Sequence, residues 1–126
     1  MRTTVLLSIK PEFASAIFAG TKIFEFRRAL FRYSRVGRVI VYASSPMQRV
    51  IGEFEIADIL SMAPHQLWRE THHGAGITRA FFDRYFEGRT LAHAIKVKAT
   101  HQFTRPRRLG RDYGLSRPPQ SFCYLD

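Results

Sequence analysis

A chain of 126 residues, 45% hydrophobic and 24% charged, is long enough to bury one domain core and too apolar to be intrinsically disordered. No apolar run approaches the ~20 residues of a membrane helix, so a membrane span is not expected. The 20 basic residues outnumber the 10 acidic ones, giving a net charge of +10, and this argues for a polyanionic partner.

MRTTVLLSIKPEF at the start reads as a strand rather than a signal peptide, because its apolar run is short, has no small-residue cleavage site and ends at Lys10-Pro11. Within it, residues 4–9 place Val5, Leu7 and Ile9 on one face and Leu6 and Ser8 on the other. Pro11 suits the first position of a helix over 11–19, with Phe13, Ile17 and Phe18 on its apolar side and Gly20 as its stop. KIFEFRR (22–28) alternates as a second strand, with Phe24 and Phe26 opposite Glu25 and Arg27. RVIVYAS (38–44) is nearly continuous in apolar residues and reads as a strand buried on both faces.

The run over 49–60 predicts a strand with Val50, Phe54, Ile56 and Leu60 inward, Glu53 and Glu55 outward, and a bulge or corner at Gly52. Pro64 opens a helix anchored by Leu67 and Trp68. Thr78 caps a second helix, in which Phe81, Phe82, Tyr85 and Phe86 form the buried side and which Gly88 ends. Residues 91–98 read as a strand, extending toward Phe103, with Leu91, Ile95 and Val97 inward and Lys96 and Lys98 outward. RPRRLGRDYGLSRPP (105–119) reads as a basic loop before a closing strand over 121–125. About six short strands with two or three helices inserted among them predict a single α+β domain over 1–126, built on a small, closed or nearly closed β-barrel.

Arginine supplies 16 of the 20 cations, and the excess is uneven: +6 over residues 1–45, −1 over 46–90 and +5 over 91–126. Arginine chelates phosphate and stacks on bases in ways lysine cannot, so Arg28, Arg105, Arg107, Arg108, Arg111 and Arg117 are candidates for a nucleic-acid surface. The densest polar cluster is Ser8, Lys10, Lys22, Glu25, Arg27 and Arg28. On an open surface a Glu25–Arg27 pair would be worth under ~1 kcal/mol. In a cleft the same groups would accept a base edge or a phosphate, with Lys22 available as an activated amine. Tyr42, Tyr113 and Tyr124 stand beside polar or basic residues and are the candidates for base stacking, whereas the aromatic run at 81–86 reads as core.

The remaining motifs argue against other chemistries. His72 and His73 are adjacent and diverge on a helix, and Cys123 is far from them, so no zinc set is expected. There is no nucleophile elbow, and Gly74-Ala75-Gly76 is a turn between helices rather than a phosphate loop. Cys123 is the only cysteine, which excludes an intrachain disulfide and fits a cytoplasmic setting.

The segment SIKPEFASAIFAGTKIFEFRR resembles the ASCH domain family, and VYASSP, VIGEFEI, GITRAFFDRYFEG and PPQSFCYL resemble one bacterial and archaeal subgroup of it. The resemblance runs from about residue 4 to 125 and implies a PUA-like β-barrel with a cleft beside the first helix, in a family proposed to bind RNA. One branch removes the acetyl group of N4-acetylcytidine using a lysine, a threonine and a glutamate. Lys22 matches that lysine and Arg27 a nearby arginine. Glu25 stands at the threonine position, and the stretch Thr71–Gly76, where the acid would fall, has no carboxylate. Another ASCH type is a ribonuclease.

The expectation is an RNA- or modified-nucleotide-binding domain with no cofactor or metal, its ligand held by Ser8, Lys10, Lys22, Glu25, Arg27, Tyr42, Ser44 and Gln120. The alternative is a small hydrolase of RNA or a modified nucleoside, with Lys22 and Glu25 as its catalytic pair.

Overall fold

The computed structural model describes residues 3–32 and 35–125. In chain order these form β1 (Thr3–Ile9), α1 (Pro11–Ala19), β2 (Phe24–Arg27), β3 (Val36–Ala43), β4 (Arg49–Met62), α2 (Pro64–Thr71), a 3-10 turn (His72–Gly74), α3 (Arg79–Tyr85), β5 (Ala92–Arg107), α4 (Leu109–Tyr113) and β6 (Phe122–Tyr124). The strands make one curled sheet in the order β2-β5-β4-β3-β1-β6. Only β1 and β3 run parallel, and α1 and β2 lie in the crossover between them. The result is an α+β half-barrel with four short helices, whose free edges are β2 and β6.

Local chemistry sets the element ends. Pro11 and Pro64 occupy the first turns of α1 and α2, where a missing N–H costs nothing. Gly20 takes a left-handed φ of 84° to close α1, and Thr78 caps α3 by accepting a hydrogen bond from the Phe81 N–H at 3.1 Å. Register shifts at Val50/Gly52, Glu53/Glu55 and Ile56/Asp58 bend the β4–β5 ladder, so these two long strands can curl round the core. Gly52 lies at the first shift. A Cβ there would sit 2.5 Å from the Phe18 ring and 2.6 Å from the His101 carbonyl.

The core has three parts. Val5, Leu7, Ile9, Val39, Val41, Ile51 and Phe54 pack under Ala14 and Ile17 of α1. Phe24 and Phe26 pack with Leu67 of α2, Phe82 of α3 and Phe86 at the end of α3. Leu6, Ile40, Tyr42, Val50 and Phe103 line the other side of the sheet, covered by Leu109, Tyr113 and Leu115. Each fully buried Leu, Ile or Phe contributes about 1.5–3 kcal/mol.

Three expectations change. The stretch from residue 105 is not a loop throughout, because β5 continues to Arg107 and α4 follows. Val50 is buried in the cluster opposite Phe54, since the register shift beside it breaks simple alternation. Leu91 precedes β5 and is 49% exposed rather than inward.

Candidate functional site

The turn after α1 delivers the first functional side chain. The Thr21 and Lys22 N–H groups both donate to the Ala16 carbonyl, turning the chain back toward the sheet and sending Lys22 inward, 2% exposed. Residues 74–76 close over it. The Lys22 ammonium donates to the Ala75 carbonyl at 2.7 Å and lies 4.8 Å from the Phe26 ring centroid and 5.3 Å from that of Phe13. Gly76 (φ +66°) is needed here, because a Cβ would fall 2.6 Å from Lys22 Cβ. Burial lowers the Lys22 pKa from its usual 10.5, and the Glu25 charge opposes that shift without cancelling it.

From β2, period-2 alternation sends Phe24 and Phe26 into the helix-packed cluster and Glu25 and Arg27 to the other side. The Arg27 guanidinium donates to Glu25 Oε2 at 3.1 Å, with both side chains at most 10% exposed. It also donates through Nη1 to the Ser8 carbonyl at 3.3 Å, and through Nη2 to the Ser121 carbonyl and Oγ at 3.1 and 2.6 Å. One side chain thereby links edge strand β2 to the end of β1 and to the residue preceding edge strand β6. Ser8 fixes the same segment, its hydroxyl donating to the Pro119 carbonyl at 2.7 Å.

These groups line one cavity of about 610 Å³, within the usual range for a small-ligand site. Ser8, Lys10, Lys22, Glu25, Arg27, Arg28, Ser44 and Gln120 all contribute to its wall. Five cations (Lys10, Lys22, Arg27, Arg28 and Arg89) face one carboxylate, so the cavity is positive. Tyr42 does not line it. Its β3 neighbours Val41 and Ala43 face the central core, so alternation turns Tyr42 into the cluster on the far side, 4% exposed.

The aromatic walls come from residues that sequence patterning assigned to the core. Phe82 in α3 and Phe86 at its C-terminal end are buried, whereas Phe81 and Tyr85 line the cavity and stack on each other at 6.4 Å and 16°. Phe13 meets Phe81 edge-on at 5.3 Å, and the Arg28 guanidinium covers the Tyr85 ring at 4.5 Å. An i, i+4 offset within the aromatic run marks this second helix face. Tyr113 and Tyr124 are elsewhere: the Tyr113 hydroxyl accepts from Arg107, and that of Tyr124 from the Arg32 N–H.

Three of the other arginines share a second depression. Arg105, Arg107 and Arg111 line it with His101 and Phe103, and Arg107 stacks 3.7 Å from the Phe103 centroid. Arg108 and Arg117 are exposed outside it. Asp112 sits among these cations with its carboxylate accepting the Arg108 N–H, and that bond, with Arg111, lowers its pKa. Among the described residues no group of three or more His, Cys, Asp or Glu is placed to hold a metal ion, and no helix is long and apolar enough to cross a membrane.

A family model for the ASCH domain matches residues 7–101. The chain belongs to the ASCH domain family. This ASCH domain is 32% identical over 127 residues to an ASCH domain-containing ribonuclease of Zymomonas mobilis, covering 98% of this chain and 85% of that protein. The crystal structure of ASCH from Zymomonas mobilis superposes with a TM-score of 0.88 at 31% identity, covering 100% of this chain and 90% of that one. Similarity also extends to a Ureaplasma parvum protein named large ribosomal subunit protein uL22, 29% identical over 122 residues. There the chain matches 97% of its own length and spans only 39% of the relative.

Proposed function

We propose that this ASCH domain binds single-stranded RNA, seating one nucleotide in the cavity with its base against Phe81 and Tyr85. The observation that carries the reading is the convergence of Lys22, Glu25 and Arg27 in one concave, cation-rich site with aromatic walls. A base offers a π-face to the aromatic wall and hydrogen-bonding groups to the floor, while Arg28, Arg89 and Lys10 at the mouth suit its phosphates. Ser8, Ser44 and Gln120 supply neutral polar contacts along the wall. Arg105, Arg107, Arg108, Arg111 and Arg117 extend the positive field and steer the backbone of a longer strand. The setting proposed is cytoplasmic, and no cofactor is invoked.

Titration of labelled single-stranded RNA at several salt concentrations tests this. The expected result is binding whose logarithm falls linearly with the logarithm of salt, with a shallower slope after Arg28→Ala. Undetectable binding at low salt, or affinity indifferent to salt, overturns it.

A second reading has its own support: a relative similar over 85% of its length is named a ribonuclease, and burial, by lowering the Lys22 pKa, leaves a larger share of it as the neutral amine that a base must be than in an ordinary lysine. On that reading the domain hydrolyses RNA or a modified nucleoside, Lys22 serving as base and Glu25 as its ionisable partner. Incubation with mixed RNA and with N4-acetylcytidine, comparing the parent with Lys22→Met, decides it. Turnover lost in the variant supports hydrolysis; no turnover, or equal turnover, rejects it.

A further inference from the structure

Resting on the RNA reading, we infer that Glu25 is a specificity-determining residue that makes the cavity select guanine among the RNA bases. The inference comes from which polar groups in the cavity are already committed. Nη1 of Arg27 has two acceptors, Glu25 Oε2 and the Ser8 carbonyl, and Nη2 has two, the Ser121 carbonyl and Oγ. All four terminal N–H groups of that guanidinium are therefore used inside the fold, and Arg27 holds the floor together rather than reading a ligand. The Lys22 ammonium is directed at the Ala75 carbonyl and at two ring faces.

Glu25 is different. It receives one hydrogen bond from the described residues, on Oε2. Among the described residues no fully buried side-chain oxygen lacks a partner, so Oε1 is reachable by solvent, and Glu25 lines the cavity although the residue as a whole is only 5% exposed. A carboxylate has about four lone-pair sites and, when ionised, only accepts. The open group on the floor thus calls for donors.

Among the four RNA bases only guanine presents two adjacent donors, N1–H and the N2 amino group, on its Watson–Crick edge. Adenine, cytosine and uracil each offer one, next to an acceptor that the carboxylate would repel. Ser121 lines the same cavity and is bridged to Glu25 by Arg27; its hydroxyl accepts from Arg27 and donates to none of the described residues, so its hydrogen suits guanine O6. A second hydrogen bond to an ionised acceptor in a partly desolvated site corresponds to about tenfold or more in affinity.

The test uses the intact chain and five short 2′-O-methylated RNAs, identical except for guanine, inosine, adenine, cytosine or uracil at one central position. The expected result is tightest binding to guanine, a loss of about tenfold for inosine, which lacks only the N2 amino group, and a preference abolished by Glu25→Gln. Equal, salt-dependent binding of all five overturns the guanine inference and leaves the RNA reading standing; absence of binding by every RNA overturns both. Glu25→Gln keeps an oxygen for Arg27, and a far-ultraviolet dichroism spectrum checks its fold. Should it misfold, the guanine–inosine comparison on the parent decides alone.

Discussion

Replacing Arg27 with methionine probes the part of the site that also holds the fold together. The substitution keeps a long apolar stem but strips a partner from the Glu25 carboxylate, the Ser8 carbonyl, the Ser121 carbonyl and the Ser121 hydroxyl. With the Arg27 and Glu25 side chains only 10% and 7% exposed, the loss leaves a charge in a largely desolvated site. Removing one member of such a pair costs about 3–5 kcal/mol. For a domain of this size that corresponds to a melting temperature lower by roughly 10–25 °C. Urea denaturation followed by circular dichroism measures it, and the double variant Glu25→Gln/Arg27→Met should recover part of the loss because it removes the stranded charge. A single-variant cost no larger than the ~1 kcal/mol of an exposed pair would refute the reasoning.

Lys22→Met should change how stability depends on pH. The folded state holds the amine proton less tightly than the unfolded chain does, so between the lowered value and the usual 10.5 the unfolded state carries the extra proton and stability rises with pH. The parent should therefore gain stability relative to Lys22→Met across the alkaline range, and a falling difference in urea titrations at stepped pH contradicts the assignment. Gly76→Ala combines a left-handed φ of +66° with a clash against the Lys22 stem, whereas Gly88→Ala at φ +78° meets nothing within 4 Å. The first should cost more than the ~1–2 kcal/mol of left-handed strain alone and the second about that much; equal melting temperatures would argue against residues 74–76 as a rigid cover. Tyr85→Ala should weaken single-stranded RNA binding by ~1–3 kcal/mol, read by fluorescence titration, and unchanged affinity would remove the stacking wall.

Much of this architecture is legible in the amino-acid sequence. Alternation in β1 and β2, Pro11, Gly20, Thr78 and the bulge at Gly52 are local signals, and local sterics and capping decide them. The polar wall from Ser8 to Arg28 was legible as well, because those residues flank one short helix. What escaped depends on contacts between distant segments. Tyr42 looked available beside Ser44, yet strand parity buries it under α4, an element hidden in a stretch that read as basic loop. Phe81 and Tyr85 looked like core because a helical aromatic run does not say which of its faces meets the sheet. Gly74-Ala75-Gly76 read as a spacer, and its contribution, a carbonyl for Lys22, appears only when residues 53 positions apart meet. Ser121 carries no local signal for the same reason, being tied to Arg27 across 94 residues.

Backbone amide chemical shifts of the intact domain, followed as single-stranded RNA is added, test the central claim most directly. Seating of a nucleotide in the cavity predicts the largest changes at Ser8, Lys22, Glu25, Tyr85 and Gln120, with smaller ones along Arg105–Arg111. Changes confined to the arginine depression, leaving Lys22, Glu25 and Tyr85 unmoved at saturation, would contradict it.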